Sequence, residues 1–173
     1  TTNELKKKPP SSGSRSISAF LNSYVTATNL SIVTGKLDLN GNTTQVNNNL
    51  IISGTLTMND PADVLKVGGD VSWLSGSDAE VTDRIIEFHH DWNFNSGTQA
   101  QFSGNNEARP VGDEAQGIYC NDDDACFNKM VVYNNSAPVT IPQRQTRAVR
   151  IADDLFLTDY SELIVNDSLI VNE

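Results

Sequence analysis

Cysteine and histidine are scarce in this sequence, which has two of each among its 173 residues. Two cysteines cannot complete a structural zinc site, and no histidine lies at the usual ligand spacing from them. Basic residues are also few, because 12 Lys and Arg stand against 22 Asp and Glu for a formal net charge of -10. Such a surface repels a phosphate backbone, so nucleic acid is not expected as a partner.

Long hydrophobic runs are missing as well. No apolar stretch approaches the roughly 18 residues that a membrane-spanning helix requires. The first 20 residues lack the apolar centre of a signal peptide, so we expect any exported form to be represented here without its leader. Residues 1–16 are rich in Lys, Pro, Ser and Gly and indicate a flexible linker.

A repeat of about 21 residues organises what is present. An apolar residue that opens an alternating run recurs at positions 30, 50, 71 and 92, each time after an Asn or Asp. The residues that precede these positions are Asn29, Asn49, Asp70 and Asp91. A second apolar series lies three positions before the Asn or Asp, at Val46, Val67 and Phe88. Two series with one period predict a stacked repeat protein.

The local pattern indicates strands and tight turns within each repeat. Alternation such as Trp92-x-Phe94 places one apolar row on a single strand face. Glycines at positions 35, 54, 76 and 97, and the pair Gly68-Gly69, fit turns that need positive φ or close approach. Asn and Asp fit corners, where their side chains bond nearby backbone. We therefore predict an all-β fold, a parallel β-helix over residues 17–173 with rungs of about 21 residues; a β-sandwich is the structural rival.

Two parts of the chain need separate interpretation. A later copy of the repeat is predicted at residues 149–157, with Ile151 in the place of Phe88. Between the regular repeats and this later copy, Cys120 and Cys126 flank a short acidic stretch. We expect these cysteines to form a local disulfide that closes a loop inserted near residues 120–126, which would imply an oxidising compartment.

Few residues suggest chemistry. Asp122, Asp123 and Asp124 form either a solvated acidic loop or a calcium site, and no other cofactor is expected. His89 and His90 point to opposite faces if they lie on a strand, so a packed or corner histidine is the better interpretation of His90. The dense charged stretch is Glu80, Asp83, Arg84 and Glu87; alternation places Asp83 and Glu87 on one strand face, but no partner for them on an adjacent rung can be named. No catalytic residue is assigned.

Several phrases of the sequence resemble the β-helical repeat regions of secreted, adhesin-like surface proteins of Bacteroidota that leave the cell by the type IX secretion system. The phrases are TGKLDLNGN at 34–42, LIISGTLTM at 50–58, DVLKVGGDV at 63–71 and DWNFNSG at 91–97. The segment from Tyr119-Cys120 to Cys126-Phe127 also resembles a short disulfide-closed loop of this family, and in all the resemblance covers about 130 residues. It implies a parallel β-helix that is exported and presented at the cell surface, and it suggests that the chain is a fragment of something longer.

These observations lead to a functional expectation. The chain is expected to be a non-enzymatic, extracellular structural or adhesive segment of a bacterial cell-surface protein. Its partner would be a glycan, a surface or a protein. The alternatives are a polysaccharide-acting β-helix enzyme or its accessory carbohydrate-binding domain, and a subunit of an extracellular filament that associates end to end. Acidic residues and one Arg or Lys clustered on adjacent rungs would favour the enzyme.

Overall fold

The computed structural model describes residues 18–122, 126–143 and 147–172, and within these residues it contains strands and no helix. All strand pairs are parallel, and each turn of the chain adds one strand to each of three sides. The fold is therefore a three-sided parallel β-helix, which confirms the predicted class. The linker predicted at residues 1–16 lies outside the described residues.

Side 1 is built from a four-stranded sheet, isolated bridges and a final strand pair. Its strands are β1 (Ser18–Phe20), β4 (Lys36–Asp38), β7 (Thr55–Met58), β10 (Asp78–Val81), β17 (Val149–Ile151) and β20 (Leu169–Val171).

Side 2 is a seven-stranded sheet. Its strands are β2 (Val25–Ala27), β5 (Thr43–Val46), β8 (Val64–Val67), β11 (Ile85–Phe88), β13 (Glu107–Pro110), β15 (Lys129–Val132) and β18 (Leu155–Leu157). Side 3 also has seven strands. They are β3 (Leu30–Ile32), β6 (Leu50–Ile52), β9 (Val71–Trp73), β12 (Trp92–Phe94), β14 (Gln116–Cys120), β16 (Val139–Ile141) and β19 (Leu163–Val165).

Both apolar series of the sequence are columns of this fold. Leu50, Val71 and Trp92 are register partners on side 3, and all three are buried. Val46, Val67 and Phe88 form the matching column on side 2, also buried. The period is constant over these turns because in-register parallel pairing places the same position of each turn over that of the preceding turn, and each of these turns has 21 residues.

Aromatic rings fill the interior of the middle turns. Phe102 packs edge-on against Trp73 and Trp92, with ring centroids 5.4 Å and 5.8 Å away. Phe127 continues the stack, 5.0 Å from Phe94 and 5.2 Å from Trp92. All of these rings are buried, and they contact one another from sides 1 and 3. Stacking of large rings between turns supplies much of the apolar burial that a thin solenoid needs.

A repeat copy does lie at residues 149–157, but it occupies different sides from those that the sequence pattern predicts. Ile151 lies on side 1, where β17 pairs with β20 and Phe127 bridges to Ile151. Leu155 lies on side 2, as the partner of Met130. The sequence pattern instead predicts Ile151 on side 2, in the place of Phe88, and Leu155 on side 3. All three sides of the β-helix have the same alternation of inward apolar and outward polar residues. A local sequence pattern therefore does not determine to which side a strand belongs.

The predicted insertion near residues 120–126 is also wrong. Cys120 pairs with Phe94 and Cys126 with Gln101, so the cysteines are six residues apart where the preceding turn has seven. The extra residues lie earlier, at the corner between β13 and β14. Pro110 and Ile118, eight apart, pair with Phe88 and Trp92, four apart. Residues 111–115 therefore hold the insertion.

No disulfide joins Cys120 and Cys126, which contradicts the prediction. Cys120 is buried in the inward column of Phe94 on side 3. Cys126 lies on side 1 beside Gln101, an outward position, and the inward Phe127 follows it. The two side chains therefore point to opposite sides of the wall, which disulfide geometry does not allow. The absent disulfide therefore gives no support to an oxidising, extracellular compartment.

Candidate functional site

The recurrent Asn and Asp residues form a hydrogen-bonded ladder at the corner between sides 2 and 3. In each step, the side-chain Oδ1 of one turn accepts from the backbone N–H of the next. Asn29 accepts from Asn49 at 3.2 Å, and Asn49 accepts from Asp70 at 3.0 Å. Asp70 accepts from Asp91 at 3.1 Å, and Asp91 accepts from Gly117 at 2.7 Å. We name Asn29, Asn49, Asp70, Asp91 and Gly117 the corner ladder.

The ladder corrects one detail of the sequence interpretation. Corner Asn and Asp were expected to bond local backbone, but their bonds connect successive turns. The same position recurs because an acceptor there satisfies a backbone N–H that would otherwise lack a partner at the corner.

Each ladder side chain uses one polar atom and leaves the other available. Among the described residues, Nδ2 of Asn29 and Asn49 and Oδ2 of Asp70 and Asp91 have no hydrogen-bond partner. Neighbouring strands are about 4.8 Å apart, so these atoms form a regular row. The row reads donor, donor, acceptor, acceptor along the axis.

Asn29, Asn49 and Asp70 of this row line an open groove of about 300 Å³, and Asp91 continues the row beyond the lining residues. The groove is lined by Asn29, Asn48, Asn49, Gly68, Gly69, Asp70 and His90. At Gly68 the backbones of two successive turns approach closely, because a Cβ there would lie 2.3 Å from the Asn47 carbonyl oxygen. Glycine is needed at this position for close approach, as the sequence indicated.

Tyr119 closes the far end of the ladder. Its ring lies over Gly117, where a Cβ would come within 2.4 Å of the ring. Burial raises the pKa of Tyr119, and the nearby carboxylates of Asp91 and Asp70 raise it further. Any side chain at position 117 would displace the Tyr119 ring from this position, so glycine is required there.

His90 lies at this corner and lines the groove, with an exposed side chain. Its backbone carbonyl accepts from Gln116 Nε2 at 3.2 Å. The corner interpretation of His90 is confirmed, and the packed one is wrong. Within the described residues no group of three or more His, Cys, Asp or Glu side chains is arranged to hold a metal ion.

The charged stretch from Glu80 to Glu87 does not form one site. Glu80 lies on side 1 and pairs with Lys36, which lowers the pKa of its carboxyl group. Asp83 and Arg84 lie at a corner, where Arg84 has a φ of 64°. The prediction that Asp83 shares a strand face with Glu87 is therefore wrong, because Asp83 precedes the strand.

Glu87 instead joins a charged cluster on the outer face of side 2. It pairs with Lys66 at 2.7 Å and stands beside Arg109 in the next strand. Arg109 in turn pairs with Glu107 and lies over the Tyr133 ring, 5.2 Å from its centroid. Sequence reasoning missed this cluster, although the repeat register places residues 66, 87 and 109 in one column.

The acidic loop is described only in part. Oδ2 of Asp122 accepts from the Gly97 N–H at 2.5 Å, so this carboxylate ties two turns together. Asp123 and Asp124 lie outside the described residues. Calcium binding at this loop therefore stays a prediction.

The chain matches no family model, no curated protein and no solved structure. In the part of the chain that the structure describes, no helix is long and apolar enough to cross a membrane.

Proposed function

We propose that this chain is a non-enzymatic, extracellular segment of an adhesin-like bacterial surface protein, in which the solenoid is a rigid support and the corner groove binds ligand. The observation that carries the proposal is the row of available amide and carboxylate atoms along the corner ladder. Such a row suits a ligand with many hydroxyl groups, because hydroxyls both donate and accept.

The architecture supports a binding role at the outer surface. Large side chains fill the interior, so ligand contacts are expected on sides and corners. Stacked turns hold neighbouring ladder residues in fixed register, which reduces the ordering cost of binding an extended partner. The resemblance of residues 34–97 to secreted Bacteroidota surface proteins supports the extracellular location.

A retention assay tests the proposal. Beads coated with the purified chain are passed over immobilised glycans, mucin and extracellular-matrix protein, with uncoated beads as the control. We expect saturable, reversible retention on a glycan surface and no release of reducing ends. Retention on none of these surfaces would contradict the adhesive function.

Polysaccharide cleavage is a second candidate function, and the side 2 cluster favours it. Glu87 and Glu107 stand on adjacent rungs with Lys66 and Arg109, which is the combination expected of the enzyme alternative. Both carboxylates are ion-paired, which weighs against their acting as general base. Release of reducing ends or unsaturated sugars, abolished by Glu107→Gln, would establish the enzyme instead.

End-to-end association stays a prediction. The inward residues Leu157, Val165 and Val171 of the last described turn are 49%, 42% and 42% exposed. Light scattering at increasing protein concentration measures whether molecules associate, and a constant monomer mass would count against a filament subunit.

A further inference from the structure

We infer that the end of the corner ladder formed by Asp70, Asp91 and Tyr119, which adjoins the groove at Asp70, is a subsite for an uncharged sugar residue of an extended glycan. This inference rests on the proposed function and names the ligand class of its site. An aromatic ring beside paired acceptor oxygens offers one apolar face and two polar contacts, which is the chemistry of a pyranose ring.

Placement of the ring is the first argument. Gly117 is the ladder member of its turn, and it is buried beneath Tyr119. Any larger residue at position 117 would push the ring away from the corner, because its Cβ would lie 2.4 Å from the ring. The ladder therefore ends in an aromatic platform directly after its two carboxylates.

The available oxygens are the second argument. Oδ1 of Asp70 and of Asp91 is held by a backbone N–H of the following turn, at 3.1 Å and 2.7 Å. These bonds fix the carboxylates in place, so that Oδ2 of each is positioned without further ordering. Carboxylate oxygens accept strong hydrogen bonds from sugar hydroxyls.

Charge selects the uncharged ligand. Two carboxylates stand on successive turns, and His90 is the one basic side chain that lines the groove. The chain as a whole carries a formal charge of -10. A uronic acid or sulfated sugar would meet like charge at the subsite and across the surface. The amides of Asn29 and Asn49 extend the same row for the next sugar residues.

Titration calorimetry with soluble oligosaccharides tests the inference on the full chain. The panel contains neutral β-glucan, mannan and galactan fragments, with oligogalacturonate and a sulfated oligosaccharide as charged comparisons. We expect a neutral fragment to bind at least tenfold more tightly than any charged one. Tighter binding of a charged fragment would overturn the subsite, while leaving the adhesive function in place.

Two variants probe the subsite without removing the ladder. Asp91→Asn keeps the Oδ1 acceptor but replaces the available oxygen with an amide donor. Gly117→Ala displaces the Tyr119 ring without changing Tyr119. We expect each to weaken binding of the neutral fragment at least tenfold, and Tyr119→Phe, which keeps the ring, to weaken it by about two- to fivefold.

Tyr133→Ala on the side 2 face is the matched control, and we expect its affinity to stay within twofold of wild type. Circular dichroism and thermal unfolding verify that each variant is folded. Unchanged affinity in both folded subsite variants would overturn the subsite but not the adhesive function. Absence of binding to every fragment, together with failure of the retention assay, would overturn both.

Discussion

The carboxylate of Asp70 accepts a hydrogen bond from the backbone N–H of Asp91, 21 residues later, at 3.1 Å. The same bond recurs along the corner ladder, and it turns a repeated sequence position into a connection between turns. One oxygen of each carboxylate holds the fold together while the other remains available for a ligand. Stability and binding can therefore be separated by substitution.

Loss of a ladder acceptor should destabilise the solenoid. Asp70→Ala removes the partner of the Asp91 N–H, and we expect the free energy of unfolding to fall by about 1 kcal/mol or somewhat more. Asp70→Asn keeps an acceptor oxygen, so we expect it to lower the free energy of unfolding by less than about 0.5 kcal/mol. Urea unfolding measures both. Asp113→Ala, at an exposed position, is the control, and an equal loss there would remove the ladder explanation.

Two corner glycines with similar backbone differ in the space around them. Gly76 has a φ of +80° and open space where a Cβ would be. Gly104 has a φ of +68°, and its Cβ would lie 2.3 Å from the Thr82 carbonyl oxygen. Gly76→Ala should cost about 1–2 kcal/mol, which is the price of the left-handed conformation. Gly104→Ala should cost clearly more in the same urea experiment; equal costs would show that the close approach is relieved.

Asp63 should make stability depend on pH. Burial raises the pKa of Asp63 above its usual value near 3.8, and the nearby Asp60 and Asp38 add to this. Because the folded state holds this proton more tightly than the unfolded state, the Asp63 contribution to stability is greatest below pH 3.8. It is lost as pH rises through the folded-state pKa.

The comparison that isolates this effect is Asp63→Asn. The Asp63 carboxylate accepts from Gly41 N at 2.8 Å and Asp60 N at 3.0 Å, and Asn keeps one of these acceptors. The variant should be less stable, but its unfolding free energy should lack the decline that Asp63 causes above pH 3.8. Parallel slopes for both proteins in urea titrations between pH 3 and 7 would contradict the assignment.

The thiols should behave as independent groups. Without a disulfide, a reducing agent should leave the melting temperature unchanged, and the unfolded chain should react with two equivalents of a thiol reagent. Cys126 should react slowly in the native state, because burial raises the pKa of its thiol. An intact mass 2 Da below that of the reduced chain would show that a disulfide forms after all.

The aromatic stack should dominate stability. Phe102 is buried and contacts Trp73, Trp92, Phe94 and Phe127. Phe102→Ala should lower the free energy of unfolding by about 3–5 kcal/mol, because the rings around it cannot close the cavity. Phe156→Ala, at a 52% exposed position, should cost less than about 1 kcal/mol and serves as the control.

The sequence by itself determined the fold class, the period and the inward columns. Parallel strands in register repeat their apolar positions once per turn, and the early turns are of equal length, so Val46, Val67 and Phe88 were readable as one column. Glycine at positions 54 and 68 was equally readable, since close backbone approach excludes a side chain.

Only the tertiary structure decided which groups meet between turns. All three sides alternate alike, so Ile151 could not be assigned to side 1 from its own neighbourhood. Cys120 and Cys126 are close in sequence, but the side chain of Cys120 points into the solenoid and that of Cys126 points outward. The placing of Tyr119 over Gly117, beside Asp91, depends on register and on the longer corner at 111–115, which no local pattern reveals. The repeat determines which residues stack on one another in successive turns. The corners, whose lengths vary, determine which side chains meet on the outer surface.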